Sequence, residues 1–134
     1  MPSTEFVLAT SAFTRKWELT ITSRVDTGEQ VNPDDCKVYQ IFADNSANTA
    51  DMYLKLYDTN SGSGVTTGGG ATGSTDPDFV FLIPGGRTID YTVVEGFLDF
   101  AVGLRALVSA SPGTSDATGT TGYNSITVEL YGTD

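Results

Sequence analysis

The chain has 134 residues, enough for one domain with a substantial core and too few for two comfortable ones. Apolar residues make up 39% and aromatics 10%, which argues against a globally disordered chain. Seventeen acidic against seven basic side chains leave a net charge of −10, and a field of that sign repels phosphate backbones, so direct nucleic-acid binding is not expected.

The opening segment MPSTEFVLATSAFTRKWEL lacks a basic n-region, and its apolar run over residues 6–9 is too short for a signal peptide. The protein is expected to be made in a cytosol and to stay soluble unless an assembly carries it elsewhere. Residues 1–16 place Phe6, Leu8 and Phe13 ahead of the first clear strand. They suit either an arm that binds a shell or sister subunit, or one more strand of the same domain. Trp17, Leu19 and Ile21 then alternate with Glu18, Thr20 and Thr22, the period-two pattern of a strand with one wet face.

A single cysteine, Cys36, cannot form an intrachain disulfide. Asp34 and Asp35 precede it, and nearby carboxylates raise a thiol pKa, so it reads as a small semi-buried residue and not a nucleophile. KVYQIFAD is a strand with apolar side chains on both faces, Val38 and Phe42 against Tyr39 and Ile41. MYLKLYD directs Met52, Leu54 and Leu56 inward and sets Tyr53, Lys55 and Tyr57 on a partly covered opposite face.

Residues 59–77 hold six Gly, with Val65 and Ala71 the only apolar side chains, so nothing there is expected to build a core. A linker between domains would need a complete core on each side, and only about three strands precede it. A phosphate loop is excluded too, because no Lys follows Lys55 and a strand, not a helix, comes next. The segment therefore reads as a long solvent-facing or neighbour-facing excursion from one domain. DFVFLI and RTIDYTVV flank Pro84, Gly85 and Gly86, which form a hairpin or a tight corner.

EGFLDFAVGLRALVSAS fits a helical stripe through Phe97, Phe100, Ala101, Leu104 and Leu107. It fits a strand through Phe100, Val102, Leu104, Ala106 and Val108 equally well. Gly103 costs a helix about 1 kcal/mol relative to Ala, and the neighbouring elements are strands. A turn over 96–99 followed by a strand over 100–109 is expected. A second long loop covers 109–125, and YNSITVELYG ends the chain with Ile126, Val128 and Leu130 on one face.

These elements predict an all-β, two-sheet antiparallel sandwich, jelly-roll-like, with about seven to eight strands in one domain over 17–134. Its interior is expected to hold Trp17, Leu19, Ile21, Phe42, Leu54, Leu56, Phe81, Ile89, Tyr91, Leu104, Ile126 and Val128. No membrane contact is expected, since the longest apolar run, residues 79–83, is far short of a span.

Chemistry is scarce. The chain has no histidine, which removes Ser-His-Asp and Cys-His nucleophilic sites, imidazole bases and ordinary zinc sites. Asp90, Glu95 and Asp99 are candidates for a glycosidic carboxylate pair, but outward solubility charges explain them better. TDPDF and NPDD resemble fragments of calcium loops without the full ligand register, and turn chemistry explains both. No catalytic residue, metal or cofactor is expected. Tyr53, Tyr57, Tyr91, Tyr123 and Tyr131 suit either a sugar-stacking platform or, as good strand formers, ordinary sheet positions.

The order MYLKLYD, a Gly/Thr loop, TDPDFVFLIPGGRTIDY, EGFLDFAVGLRALVS and ATGTTGYNSITVELYG resembles small β-sandwich proteins of tailed bacteriophages. These include capsid decoration (cement) proteins and head or tail fibre modules. The resemblance covers about residues 52–131 and rests on apolar and turn residues, with no catalytic residue to carry over. It implies a noncatalytic virion protein, assembled in the host cytoplasm, that binds the major capsid protein or another virion protein and stabilises the head surface, commonly as a homotrimer. Phe6, Leu8 and Phe13 are then the expected protein interface. The alternatives are a carbohydrate-binding or receptor-binding module of a fibre, or a carboxylate-dependent glycan hydrolase.

Overall fold

The computed structural model describes residues 14–22, 28–62, 65, 76–93, 96–110 and 124–134. Their regular elements are β1 (Arg15–Ile21), β2 (Glu29–Asn32), β3 (Cys36–Asp44), β4 (Met52–Asp58), β5 (Phe79–Ile83), β6 (Thr88–Thr92), β7 (Leu98–Phe100), β8 (Leu104–Ser109) and β9 (Ile126–Thr133). β1 pairs with β9, β2 with β8, β3 with β6 and β7, and β4 with β5, all antiparallel. That is one long hairpin doubled on itself, with the β4–β5 connection at its tip. Rolling the hairpin adds β3 against β9 and β4 against β8. Two sheets result, a first of order β1-β9-β3-β6 with β7 also on β3, and a second of order β2-β8-β4-β5.

β6 lies along residues 40–44 of β3 and β7 along residues 36–38, so together they act as one interrupted strand. Counted that way there are eight strands in jelly-roll order. The expected sandwich is therefore present, and the expected helix alternative over 96–109 is not. The short β2 and β7 are the additional elements, too brief for a periodic pattern to mark them.

The register explains the core. Trp17 faces Leu130, Leu19 faces Val128, and Ile21 faces Ile126, so one face of the β1–β9 pair is continuously apolar. The second sheet answers with Met52, Leu54, Leu56, Leu104, Ala106 and Val108, all buried. Each such Leu or Ile stabilises the fold by about 1.5–3 kcal/mol. The exposed ion pairs of β1, Arg15 with Asp134 at 2.5 Å and Lys16 with Glu18 at 2.6 Å, are worth far less in water. Burial, not surface charge, holds the sheets together. On the side bounded by β5, β6 and β7, aromatic pairs span the two sheets: Phe79 with Phe100 at 5.6 Å and Phe81 with Tyr91 at 5.1 Å.

β3 departs from simple alternation. Cys36, Val38, Ile41 and Ala43 are all buried, although 36 and 38 differ in parity from 41 and 43. The register against β9 slips between Val38 and Gln40, a bulge that leaves Tyr39 as the extra residue. Side chains therefore point inward at even positions before the bulge and at odd positions after it. Two residues expected inside are corrected: Phe42 lies opposite Glu129 on the outer face, with Ile41 in the interior place, and Tyr91 is 40% exposed at the margin between the sheets. Opposite the bulge stands Gly132, where an added Cβ would collide with the Lys37 carbonyl.

Polar side chains fix the loops. The Asp58 carboxylate accepts backbone N–H bonds from Val102 at 2.8 Å, Ala101 at 3.2 Å and Gly103 at 3.3 Å. The turn before β8 thus sits at 101–103 and not at the expected 96–99. At the other end, buried Asn45 donates to Ala50 and Ile83 carbonyls, each at 3.0 Å. Asn48 accepts the Asn124 N–H at 2.9 Å, joining the β3–β4 loop to the entry of β9.

The outer faces of the sheets differ. On the first sheet Lys16 bridges Glu18 and Glu129, and Tyr131 donates to Glu129 at 2.6 Å, an ordinary solvated surface. On the second sheet Tyr57, Leu107, Lys55 and Ser109 are buried. Val65 packs with Tyr57 and Leu107 in a second small cluster. The expectation that residues 59–77 contribute nothing to a core is corrected at this one side chain. The remaining expectations for that loop and for 109–125 fall mostly outside the described residues.

Gly132→Ala is expected to lower stability by about 1–3 kcal/mol through overpacking at the bulge, read as a lower denaturant midpoint. Asp58→Ala is expected to cost about 1.5–3 kcal/mol by removing charge-assisted bonds to three amides. In hydrogen exchange it should release the amides of Ala101, Val102 and Gly103 selectively.

Candidate interaction surface

The expected interface residues Phe6, Leu8 and Phe13 lie outside the described residues, as do Glu95 and Tyr123. The other sequence candidates can be placed. Asp90 lies opposite Phe42 and Asp99 opposite Lys37, five positions apart along β3. At about 3.3 Å per residue that separates them by roughly 17 Å, too far for a glycosidic pair. Asp90 instead accepts the Gln40 amide at 3.0 Å.

Both calcium-like fragments carry protein hydrogen bonds, a contact to β4 in TDPDF and a turn bond in NPDD. The Asp78 carboxylate accepts the Asp58 N–H at 2.7 Å, and the Asn32 amide donates to the Asp34 carbonyl at 2.8 Å. Among the described residues no three His, Cys, Asp or Glu gather as a metal-binding group. Tyr57, Tyr91 and Tyr131 do not share a platform either. Tyr57 is buried on the outer side of the second sheet, Tyr131 lies on the outer face of the first, and Tyr91 closes the gap between the sheets.

Cys36 faces the core at the start of β3 and is 2% exposed. Burial pushes its thiol from an ordinary 9.0 up to about 11, outweighing a lowering by the Asn32 amide. The thiol is therefore protonated and shielded at neutral pH, as the sequence suggests.

What the described surface does present is an edge. Each sheet ends in a strand with unpaired backbone groups, and exposed edges ordinarily carry charges or are kept short. β1 carries Arg15, Lys16 and Glu18; β6 carries Asp90; β7 is three residues long with Asp99; β2 is four residues long with Glu29 and a bulge. β5, with the sequence FVFLI, carries no charge and is regular against β4. Val80 and Leu82 are outward on it, 41% and 39% exposed. Tyr91, 40% exposed, and Phe97, 41% exposed, lie on the neighbouring side of the first sheet. Phe97 is held there by an edge contact with Tyr39 and by the Lys37 ammonium 5.1 Å from its ring.

The longest apolar run of the sequence is this strand. In the sequence it speaks only against a membrane span, and its place at a sheet edge was not legible there. Among the described residues no helix is long and apolar enough to cross a membrane. No family model matches the chain, and no curated protein or solved structure matches it.

Thiol reagents at neutral pH are expected to leave Cys36 unmodified in the folded protein and to label it on unfolding. Its raised pKa also favours the neutral form in the fold. That contribution to stability is whole below pH 9.0 and is lost as pH rises toward about 11. Cys36→Ala should flatten the fall in denaturation midpoint across that window.

Proposed function

We propose that the chain is a noncatalytic structural protein of a bacteriophage particle, most concretely a capsid decoration protein that binds and stabilises the head surface. The observation that carries this reading is the contrast between an uncharged, half-exposed edge strand, β5, and the solvated outer face of the first sheet. Such a molecule has an adhesive side and a wet side. The double-sheet jelly roll supports the reading by analogy alone, since viral capsid and lectin domains both use it.

The mechanism is burial. Apolar side chains at a subunit junction leave water on assembly, at about 25 cal/mol for each Å² removed. The charge of −10 keeps the outward faces of the assembled particle soluble and mutually repellent. The partners are the major capsid protein or another virion protein, and copies of this chain in a small symmetric oligomer, for which the phage resemblance implies a trimer. A sugar-binding fibre module is the weaker reading, because the described tyrosines point in different directions.

Mass spectrometry of purified phage particles is expected to find this protein in many copies per virion. Its absence from virions, with expression in infected cells, would contradict the proposal.

A further inference from the structure

Among the described residues, β5 has a strand partner on one side only. The Asp78 N–H donates to the Leu56 carbonyl at 2.9 Å, so Leu56 turns its carbonyl toward β5. Strand groups alternate in direction, so Leu54 and Met52 also face β5, and their register partners Phe81 and Ile83 face back toward β4. The N–H and C=O groups of Val80 and Leu82 then point away from the sheet. In agreement, the Leu82 carbonyl is approached from outside β4 by the Tyr91 hydroxyl, at 3.4 Å, which leaves one of its two lone pairs available. Val80 and Leu82 are also the two side chains of β5 that stand exposed on the outer face.

This edge is complementary to itself. About a two-fold axis at Phe81, an antiparallel second copy of β5 sets Val80 opposite the partner's Leu82 and Leu82 opposite the partner's Val80. Those are the residues whose backbone groups point away from β4, so both become hydrogen-bonded pairs. Their exposed side chains meet in the same step.

The charges flanking the strand agree with that direction. Asp76 and Asp78 precede β5, Arg87 follows it, and no charge lies between. Asp76 and Arg87 take part in none of the ion pairs among the described residues. Antiparallel pairing brings the acidic end of each strand beside the Arg87 end of the other. Parallel pairing would place like ends together. Isologous two-fold contacts of this kind close without leaving a growing edge.

We propose that β5 pairs antiparallel with β5 of a second copy of this chain, joining two four-stranded sheets into one continuous sheet across a two-fold axis. The pairing uses the same edge strand as the phage reading, but it is tested on the purified protein alone, so the two can fail separately. It closes at two copies, in contrast to the trimer that the phage resemblance implies. A five-residue strand contact falls at the small end of specific interfaces, so the dimer is expected to dissociate in the micromolar range.

Sedimentation equilibrium of the full chain over a concentration series tests it. The expected result is a reversible transition from 14.1 kDa to twice that mass. Leu82→Lys, at an exposed position, should weaken the dimer about tenfold or more, with the β circular-dichroism signal retained. Arg87→Asp should weaken it as well, and adding Asp76→Arg should restore it, a reversal that damage to folding would not produce. A protein that stays monomeric throughout, or forms trimers, would overturn the pairing. So would a dimer indifferent to Leu82→Lys and to the charge exchange. A monomer that is nonetheless abundant in virions would overturn this pairing and leave the phage reading standing.

Discussion

The close approach of Gly132 to the Lys37 carbonyl is the constraint on which the rest of this sandwich depends. β3 is the central strand of the first sheet, with β9 on one side and β6 and β7 on the other. Without the bulge at Tyr39, a single parity would run along it, and either Cys36 and Val38 or Ile41 and Ala43 would face water. The bulge turns both halves inward, and only a residue without a side chain lets β9 pass it. The inward positions of β9, β6 and β7 follow from that register.

The topology places a second demand on the chain. In a doubled hairpin the first strand meets the last, so Arg15 lies opposite Gly132. Contacts this distant in sequence reward folding late, after the closure entropy of long loops. The polar staples answer that demand locally. Asp58 ties the end of β4 to the β7–β8 turn, and Asn45, Asn48 and Asn124 tie three segments at the opposite end. The aromatic pairs close one side of the roll between the two sheets. Val80 and Leu82 remain half-exposed on the outer face of β5, and among the described residues that uncharged edge in an otherwise charged perimeter is what the functional proposals use.

Much of the fold was legible in the sequence because its strands alternate cleanly. WELTI and ITVEL read correctly because one face of each is apolar and the other is not, and MYLKLYD because Met52, Leu54 and Leu56 share the inward face while its other face is covered as well. β2 was missed because four residues, EQVN, offer no period, and Phe42 was misplaced because a bulge leaves no mark in a two-residue pattern. Gly132 was the available signal, a glycine near the end of an otherwise regular strand. The turn at 101–103 was shifted because the acceptor that fixes it, Asp58, lies more than forty residues away. The candidate site was less legible still. An uncharged pentapeptide in a sequence can be a central strand or an edge, and only the strand order of the second sheet, with β5 last, decides between them.

Amide hydrogen exchange at β5, followed by nuclear magnetic resonance across protein concentration, reads the edge pairing residue by residue. In dilute protein, exchange is expected to be fast at Val80 and Leu82 and slow at Phe81, whose N–H faces β4. As concentration rises, Val80 and Leu82 should become protected together while Phe81 is unchanged. Protection of Val80 and Leu82 in dilute protein, or fast exchange there at every concentration, would contradict it.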